Sequence, residues 1–179
     1  MTKNAKILIV DDEKIALKNL EHVMKKEDYQ VISTQSGQNA LKILEEQSFD
    51  VVLTDLRMEK VDGMQILKRC KELNTDTEVI MITGYVTLES AVKAMKNGAF
   101  NYIAKPFKLD EVRKIVSEAV EKVNLKKENK ELREQIESYH GKVEHLGYPK
   151  LVAGCADCHG FHSILPSDNP KSLISDARL

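Results

Sequence analysis

Tryptophan is absent from this 179-residue chain, and neither sign of charge is in excess. Lysine and arginine number 27 against 28 aspartates and glutamates, which gives a formal net charge of −1 at pH 7. A protein that binds nucleic acid through bulk electrostatics carries an excess of positive charge. The balanced charge and the missing Trp therefore argue against a nucleic-acid-binding surface of that kind.

Long apolar stretches are missing as well. No run approaches the roughly 20 residues that a helix needs to cross a bilayer, and residues 1–4 lead directly into an apolar run without a signal-peptide pattern. With 42% hydrophobic and 31% charged residues, the chain can form one full core and an appendage. We therefore predict a cytoplasmic protein without a membrane segment.

Four short apolar runs lack internal glycine and proline and are rich in β-branched residues. They cover residues 6–10, 50–54, 78–82 and 101–104. Such runs are typical of strands buried on both faces. Stretches with helical spacing separate them, with apolar stripes that include Ile15, Leu17 and Leu20 in the first helix and Ala91, Val92, Ala94 and Met95 in a later one. This alternation predicts an α/β fold with a doubly wound parallel sheet, because parallel neighbours need a crossover of helical length.

Charged or hydroxyl residues follow these runs directly. They are Asp11, Asp12, Asp55, Thr83 and Lys105. Because ligands of open parallel sheets collect at the carboxyl ends of the strands, we expect these residues to form one site. Three carboxylates with one ammonium suit phosphoryl transfer to a carboxylate, since a hard cation such as Mg²⁺ must offset the negative charge. Taken alone, Asp12 could instead be the N-cap of a helix starting near Glu13.

Five short motifs follow one another in a fixed order. They are Ile-Val-Asp-Asp at 9–12, Leu-Thr-Asp-Leu-Arg-Met at 53–58, Asp-Gly-Met at 62–64, Met-Ile-Thr-Gly at 81–84 and Tyr-Ile-Ala-Lys-Pro-Phe at 102–107. In this order, residues 4–122 resemble a two-component response-regulator receiver domain. The resemblance implies a flavodoxin-like sheet of five parallel strands. It also implies a cis peptide bond between Lys105 and Pro106.

The resemblance further implies how the site binds metal and phosphate. Asp55 would be the phosphoacceptor and Asp12 a direct Mg²⁺ ligand, while Asp11 would act mainly through water. The backbone carbonyl of Arg57 would complete the protein's share of the metal ligands. Lys105 would hold the phosphoryl oxygens as a compact ammonium.

Two further residues would form a switch in such a domain. The Thr83 hydroxyl can donate to a phosphoryl oxygen only after transfer, and Tyr102 can then fill the space left behind. The implied protein is a response regulator rather than an enzyme, with self-catalysed phosphoryl transfer and hydrolysis at most. Its partner would be a sensor histidine kinase or a phosphotransfer protein. It would signal through the face formed by its fourth helix, last strand and last helix, and through the last helix itself.

A charged stretch without glycine or proline extends from Leu109 to about Ser138. Apolar residues recur in it every seven residues at Leu125, Leu132 and Tyr139, with Asn129, Ile136 and Val143 on the complementary seam position. This pattern is typical of a short dimeric coiled coil in which Asn129 sets the register, although a single solvated helix stays open. We predict a receiver over 4–122, a helical linker over 123–138 and a homodimer.

The remaining residues, 139–179, form a small irregular tail with an unusual motif. Cys155, Cys158 and His159 make a Cys-x-x-Cys-His sequence, the attachment signature of haem c. The tail resembles a fragment of a multihaem cytochrome c, in which His140 or His162 would be a candidate distal ligand. Zinc is an alternative, with His140, His145 or His162 completing the ligand set. A redox dithiol and a segment that binds nothing also stay open.

The output of the protein is not written in its sequence. Neither a helix-turn-helix nor a Gly-Lys-Ser/Thr nucleotide loop follows the receiver, so no direct DNA-binding domain is evident. Cys70, on the helix after Asp55, is expected to be an ordinary, partly buried residue. Besides the response regulator, two hypotheses stay open: a redox sensor that binds haem or zinc, and a dimeric binding module that is never phosphorylated.

Overall fold

The computed structural model describes residues 5–84 and 87–145, with side chains as far as residue 136. In that part of the chain, strands and helices alternate. In chain order they are β1 (Lys6–Val10), α1 (Lys14–Lys26), β2 (Gln30–Thr34), α2 (Gly37–Glu46), β3 (Val51–Asp55), α3 (Gly63–Leu73), β4 (Glu78–Thr83), α4 (Leu88–Lys96), β5 (Asn101–Ala104) and α5 (Leu109–His145). The chain divides into two compact units within α5, Met1–Glu128 and Asn129–Leu179. The sheet and the candidate site belong to the first unit.

The five strands form one parallel sheet in the order β2-β1-β3-β4-β5. Successive side chains of a strand point to opposite faces, so each strand contributes to two core layers. Ile7 and Ile9 of β1 pack with α1 and α5, whereas Leu8 and Val10 pack with α2, α3 and α4. Helices therefore cover both faces, and the predicted flavodoxin-like, doubly wound α/β sheet is confirmed.

Strand β2 is the one strand of this sheet whose position the apolar runs did not predict. It lies at the edge and pairs with β1 alone. Its residues are mostly half-exposed, and Gln30 and Ser33 interrupt any apolar run. A half-covered edge strand needs fewer apolar residues than a central one, which explains the weak signal.

Two of the predicted apolar stripes are only partly buried. In α1, Leu17 and Leu20 are in the core, but Ile15, which belongs to the same apolar stripe, is 71% exposed. Ile15 and Leu17 are two residues apart and point about 200° away from each other around a helix, so only one of them can face the sheet. In α4, Ala94 is buried, whereas Val92 and Met95 are exposed together with Leu88.

Helix α5 continues to His145, beyond the end near Ser138 that the sequence predicts. No helix in residues 5–84 and 87–145 is long and apolar enough to span a membrane. The Lys105-Pro106 peptide bond is cis, as the resemblance implies. Cys70 is more deeply buried than expected, and burial raises the pKa of its thiol to about 12, which makes the thiolate scarce at neutral pH.

Candidate phosphoacceptor and metal site

The register of the sheet brings the predicted site residues to one edge. Val10 of β1 pairs with Thr54 of β3. Asp11 follows Val10 and Asp55 follows Thr54, so the two aspartates lie side by side at the ends of neighbouring strands. Asp55 in turn pairs with Ile82, which precedes Thr83 on β4. The connection from β1 leads to β2 on one side, and β3 lies on the other. The carboxylates therefore collect at the switch point of the topology, where doubly wound folds bind ligands.

Three carboxylates lie close together at this edge. Ligand oxygens of Asp11, Asp12 and Asp55 are all within 4.8 Å of one another. Asp11 and Asp55 are buried, at 1% and 7% exposed, whereas Asp12 is exposed to solvent. Like charges at this spacing repel one another, which favours a bound cation.

Lys105 supplies the counter-charge. Its ammonium nitrogen donates to a carboxylate oxygen of Asp11 and to one of Asp55, both at 2.7 Å. Burial alone would lower the pKa of Lys105, but these two hydrogen bonds raise it above its ordinary value. Lys105 is therefore charged at neutral pH. Because it directly follows β5, its hydrogen bonds connect the end of β5 to the ends of β1 and β3.

The two neighbouring aspartates are used differently. One oxygen of Asp11 accepts from the Glu13 amide at 2.9 Å, and the other accepts from Lys105. Burial, the larger influence, raises the pKa of Asp11, against the hydrogen bond from Lys105. Asp12 is not the N-cap of α1: the cap is Glu13, whose side chain makes no capping hydrogen bond. The start of α1 therefore donates a hydrogen bond to Asp11, through the Glu13 amide, and the exposed carboxylate of Asp12 does not cap the helix.

The loop after β3 shapes the pocket around Asp55. The Arg57 amide donates to a carboxylate oxygen of Asp55 at 3.0 Å, which places the Arg57 backbone beside the phosphoacceptor candidate. At Gly63, the first residue of α3, an added Cβ would lie 2.3 Å from the backbone oxygen of Asp55. Only glycine allows α3 to begin so close to this strand end.

Thr83 and Tyr102, the predicted switch residues, lie on neighbouring strands. Thr83 is fully buried, and its carbonyl accepts from the Lys105 amide at 2.7 Å. Tyr102 pairs with Met81 and is half-buried against the core. Its hydroxyl lies 3.0 Å from the Ser90 hydroxyl on α4.

Three residues of this region were not predicted from the sequence. Glu13 lies 3.8 Å from the Lys105 ammonium, Gly63 makes the close approach to Asp55, and Ser90 contacts Tyr102. Gly63 belongs to the Asp-Gly-Met motif, but the need for glycine there comes from a tertiary contact with the Asp55 backbone. Nothing in the sequence pairs Ser90 with Tyr102. Cys155, Cys158, His159 and His162 lie outside the described residues, as do the side chains of His140 and His145.

Comparison with known proteins assigns the class. The family model for the response regulator receiver domain matches residues 7–117. The chain therefore belongs to the response regulator receiver domain family. It is similar to the sporulation initiation phosphotransferase F of Bacillus subtilis, with 39% identity over 63% of this chain and 91% of that protein. It is also similar to the regulatory protein AtoC of Escherichia coli K12, with 38% identity over 76% of this chain.

Solved structures agree with this family. A receiver domain protein from Clostridium thermocellum has 36% identity and a TM-score of 0.64, over 68% of this chain and 98% of that one. The beryllofluoride-activated NtrC4 receiver domain dimer has 31% identity and a TM-score of 0.63, over 66% and 98%. The chain spans only 30% of the length of AtoC. The shared part is the receiver, a phosphoacceptor signalling module of two-component systems.

Proposed function

We propose that this chain is a response regulator that accepts a phosphoryl group on Asp55 from a sensor histidine kinase or phosphotransfer protein in the cytoplasm. The observation that carries the proposal is the pair of 2.7 Å hydrogen bonds by which Lys105 joins Asp55 to Asp11, at an edge where three carboxylates gather. A purely structural ion pair would not need the exposed Asp12 as a third acid.

The donor set fits Mg²⁺. All three side chains offer carboxylate oxygens, which are hard ligands, and Asp12 remains accessible to solvent. Asp12 and Asp55, with the Arg57 carbonyl, would hold the ion, while Asp11, which accepts hydrogen bonds from Glu13 and Lys105, would act through water. When bound, Mg²⁺ supplies positive charge that offsets the repulsion between the nucleophile and the phosphoryl group.

The residues of the chain then divide the work of the transfer. A carboxylate oxygen of Asp55 attacks phosphorus and forms an acyl phosphate, while the bond from phosphorus to the donor breaks and the donor leaves with its electron pair. Lys105 would donate to the phosphoryl oxygens, and the 2.7 Å hydrogen bond from its ammonium to Asp55 supports this role. The Thr83 hydroxyl would donate a hydrogen bond to the new phosphoryl group, and the Tyr102 side chain would fill the space that Thr83 leaves.

Mg²⁺-dependent labelling tests the metal assignment. The chain is incubated with acetyl phosphate and Mg²⁺, and the fraction carrying one phosphoryl group is measured by intact mass. We expect labelling to disappear with EDTA and to fall steeply in Asp12→Asn, while Asp28→Asn, in the turn after α1, behaves as the wild type. Labelling that is equal with and without Mg²⁺ would contradict the assignment and favour an unphosphorylated binding module.

Two surfaces are proposed for the output. The exposed Leu88, Val92 and Met95 lie on one face of α4, as their spacing of four and three residues requires, and offer an apolar docking surface on the helix that packs beside β5. On α5, Leu125, Leu132 and Ile136 are about half-exposed, which suits the seam of a homodimeric coiled coil with Asn129. The same proposal includes the division of the chain into a receiver over residues 4–122, a helical linker over 123–138 and a tail over 139–179.

The tail is proposed as a separate binding site on the strength of its motif alone. Cys155, Cys158 and His159 would anchor haem c or, with a further histidine, bind zinc, and would make the protein a redox sensor. Co-expression with a cytochrome-maturation system tests haem through Soret absorbance, and metal analysis tests zinc. Each signal should vanish in Cys155→Ser with Cys158→Ser; a purified protein with neither signal would contradict the proposal.

A further inference from the structure

The hydroxyl of Tyr102 is joined to a helix that carries no residue of the phosphoacceptor site. Tyr102 on β5 and Ser90 in the first turn of α4 bring their hydroxyl oxygens to 3.0 Å. Both side chains are half-buried, so water competes less for this hydrogen bond than at an exposed position. The contact links the proposed switch aromatic to the start of α4.

Ser90 is also half of the capping box that begins α4. The Ser90 amide donates to the Thr87 hydroxyl at 3.1 Å, and the Thr87 amide donates to the Ser90 hydroxyl oxygen at 3.3 Å. In addition, the Ser90 hydroxyl donates to the Thr87 carbonyl at 2.9 Å. A serine hydroxyl has one proton, so with that proton on the Thr87 carbonyl, Tyr102 is the donor to Ser90. Glutamate or glutamine is usual at this position of a capping box, and neither can place a hydroxyl there.

The backbone connects this contact to the phosphoacceptor edge. Thr83 pairs with Ala104, two residues after Tyr102, and the Thr83 carbonyl accepts from the Lys105 amide at 2.7 Å. A displacement of Thr83 toward a phosphoryl group on Asp55 therefore also shifts the backbone of the short segment that carries Tyr102. If Tyr102 moves inward, its hydroxyl must leave Ser90.

We propose that Ser90 is a positioning residue that holds Tyr102 in the unphosphorylated arrangement and makes the first turn of α4 part of the switch. This rests on the proposed function of Asp55, Thr83 and Tyr102. The hydrogen bond stabilises the unphosphorylated state alone, so its removal shifts the population toward the phosphorylated state. By linkage, a phosphoryl mimic then binds more tightly.

Beryllofluoride with Mg²⁺ is the probe, and its Kd is measured on the full chain. One neutral hydrogen bond predicts about a fivefold tighter Kd for Ser90→Ala and for Tyr102→Phe. The double variant should bind no more tightly than Tyr102→Phe, because both substitutions remove one interaction. Ser90→Thr, which keeps a hydroxyl, should restore the wild-type Kd. Tyr102→Phe leaves the Thr87–Ser90 capping box intact, so an effect of helix capping alone is separated.

The outcomes distinguish this inference from the proposal it rests on. A wild-type chain that does not bind beryllofluoride would overturn both. Normal binding by the wild type with an unchanged or weaker Kd in Ser90→Ala, or with additive effects in the double variant, would overturn the role of Ser90 and leave Asp55 as the phosphoacceptor. A general loss of stability in Ser90→Ala weakens binding, which is opposite to the predicted direction.

Discussion

The carboxylate of Glu78, the first residue of β4, accepts a hydrogen bond of 2.8 Å from the ammonium of Lys126 on α5. Glu78 is 2% exposed, and Lys122 lies 3.0 Å from the same carboxylate oxygen. Lys71 of α3 lies 3.8 Å from the other oxygen. Burial alone would raise the pKa of Glu78, but the hydrogen bonds from Lys126 and Lys122 lower it below its ordinary value. A buried acid thus attaches the distal part of α5 within the first unit to the start of a central strand.

Replacement of this acid should destabilise the fold. We expect Glu78→Gln to lower the free energy of unfolding by about 1–3 kcal/mol at pH 7, because the negative charge is lost and an NH2 donor replaces one of the two acceptor oxygens. Urea unfolding measures the loss. Glu45→Gln, which removes an exposed partner of Arg69, is the matched control and should change stability far less. Equal losses in the two variants would contradict a special role of burial at Glu78.

The same group makes stability depend on acid pH. The folded-state pKa of Glu78 lies below the ordinary value of 4.5, so its contribution is present above that pH and is lost as the pH falls through the folded-state pKa. The difference in unfolding free energy between wild type and Glu78→Gln should therefore shrink below pH 4.5. A difference that stays constant or grows as the pH falls below 4.5 would contradict this linkage.

Loss of the ammonium at the site should slow phosphoryl transfer without abolishing metal binding. In Lys105→Met, the proposed donor to the phosphoryl oxygens is missing, and we expect acetyl phosphate labelling to slow by roughly 100-fold. Mg²⁺ binding, measured by calorimetry, should persist, because the carboxylates of Asp12 and Asp55 remain. Lys108→Met, three residues further along the chain, is the control. Labelling of Lys105→Met at the wild-type rate would remove Lys105 from the transfer step.

Two glycines give a matched test of the close approach of α3 to β3. A Cβ at Gly63 would lie 2.3 Å from the Asp55 backbone oxygen, whereas a Cβ at Gly84 meets nothing within 4 Å. We expect Gly63→Ala to lower the free energy of unfolding by about 1–3 kcal/mol and to slow labelling of Asp55, because backbone must shift. Gly84→Ala should change stability by less than about 0.5 kcal/mol. Similar stabilities of the two variants would contradict the proposed crowding.

The proposed dimerisation through α5 would depend on its apolar seam. Leu132, which is 51% exposed, lies on the predicted seam, whereas Lys130 lies outside it. We expect Leu132→Asp to shift the mass measured by light scattering from dimer to monomer, and Lys130→Asp to leave the dimer intact, because only the first places a charge in the apolar seam. A wild-type monomer at high micromolar concentration, or a Leu132→Asp dimer, would contradict the coiled coil.

The parts of the fold that could be predicted are those with strong local signals. The central strands are continuous apolar runs, and the residues after them fall at one sheet edge because parallel strands share a direction. Edge strand β2 was not located, because it is only half-covered. Ile15 is exposed although it belongs to an apolar stripe, since helical geometry turns it away from Leu17.

The contacts that could not be predicted join residues far apart in the chain. Ser90 contacts Tyr102, and Glu78 contacts Lys126 across 48 residues. A charged residue at the start of a strand is ordinarily an exposed one, so no local pattern marks Glu78 as buried. The sequence predicted which residues form the phosphoacceptor edge, but the supporting contacts around it depend on the packing of α3, α4 and α5.

Localisation of the phosphoryl group decides whether Asp55 is the phosphoacceptor. The chain is treated with acetyl phosphate and Mg²⁺, reduced with borohydride to trap the acyl phosphate, digested and sequenced by mass spectrometry, beside Asp55→Asn. We predict one modified residue, Asp55, and no modified peptide in Asp55→Asn. A wild-type chain that remains unmodified, or a modification that persists in Asp55→Asn at the wild-type level, would contradict it.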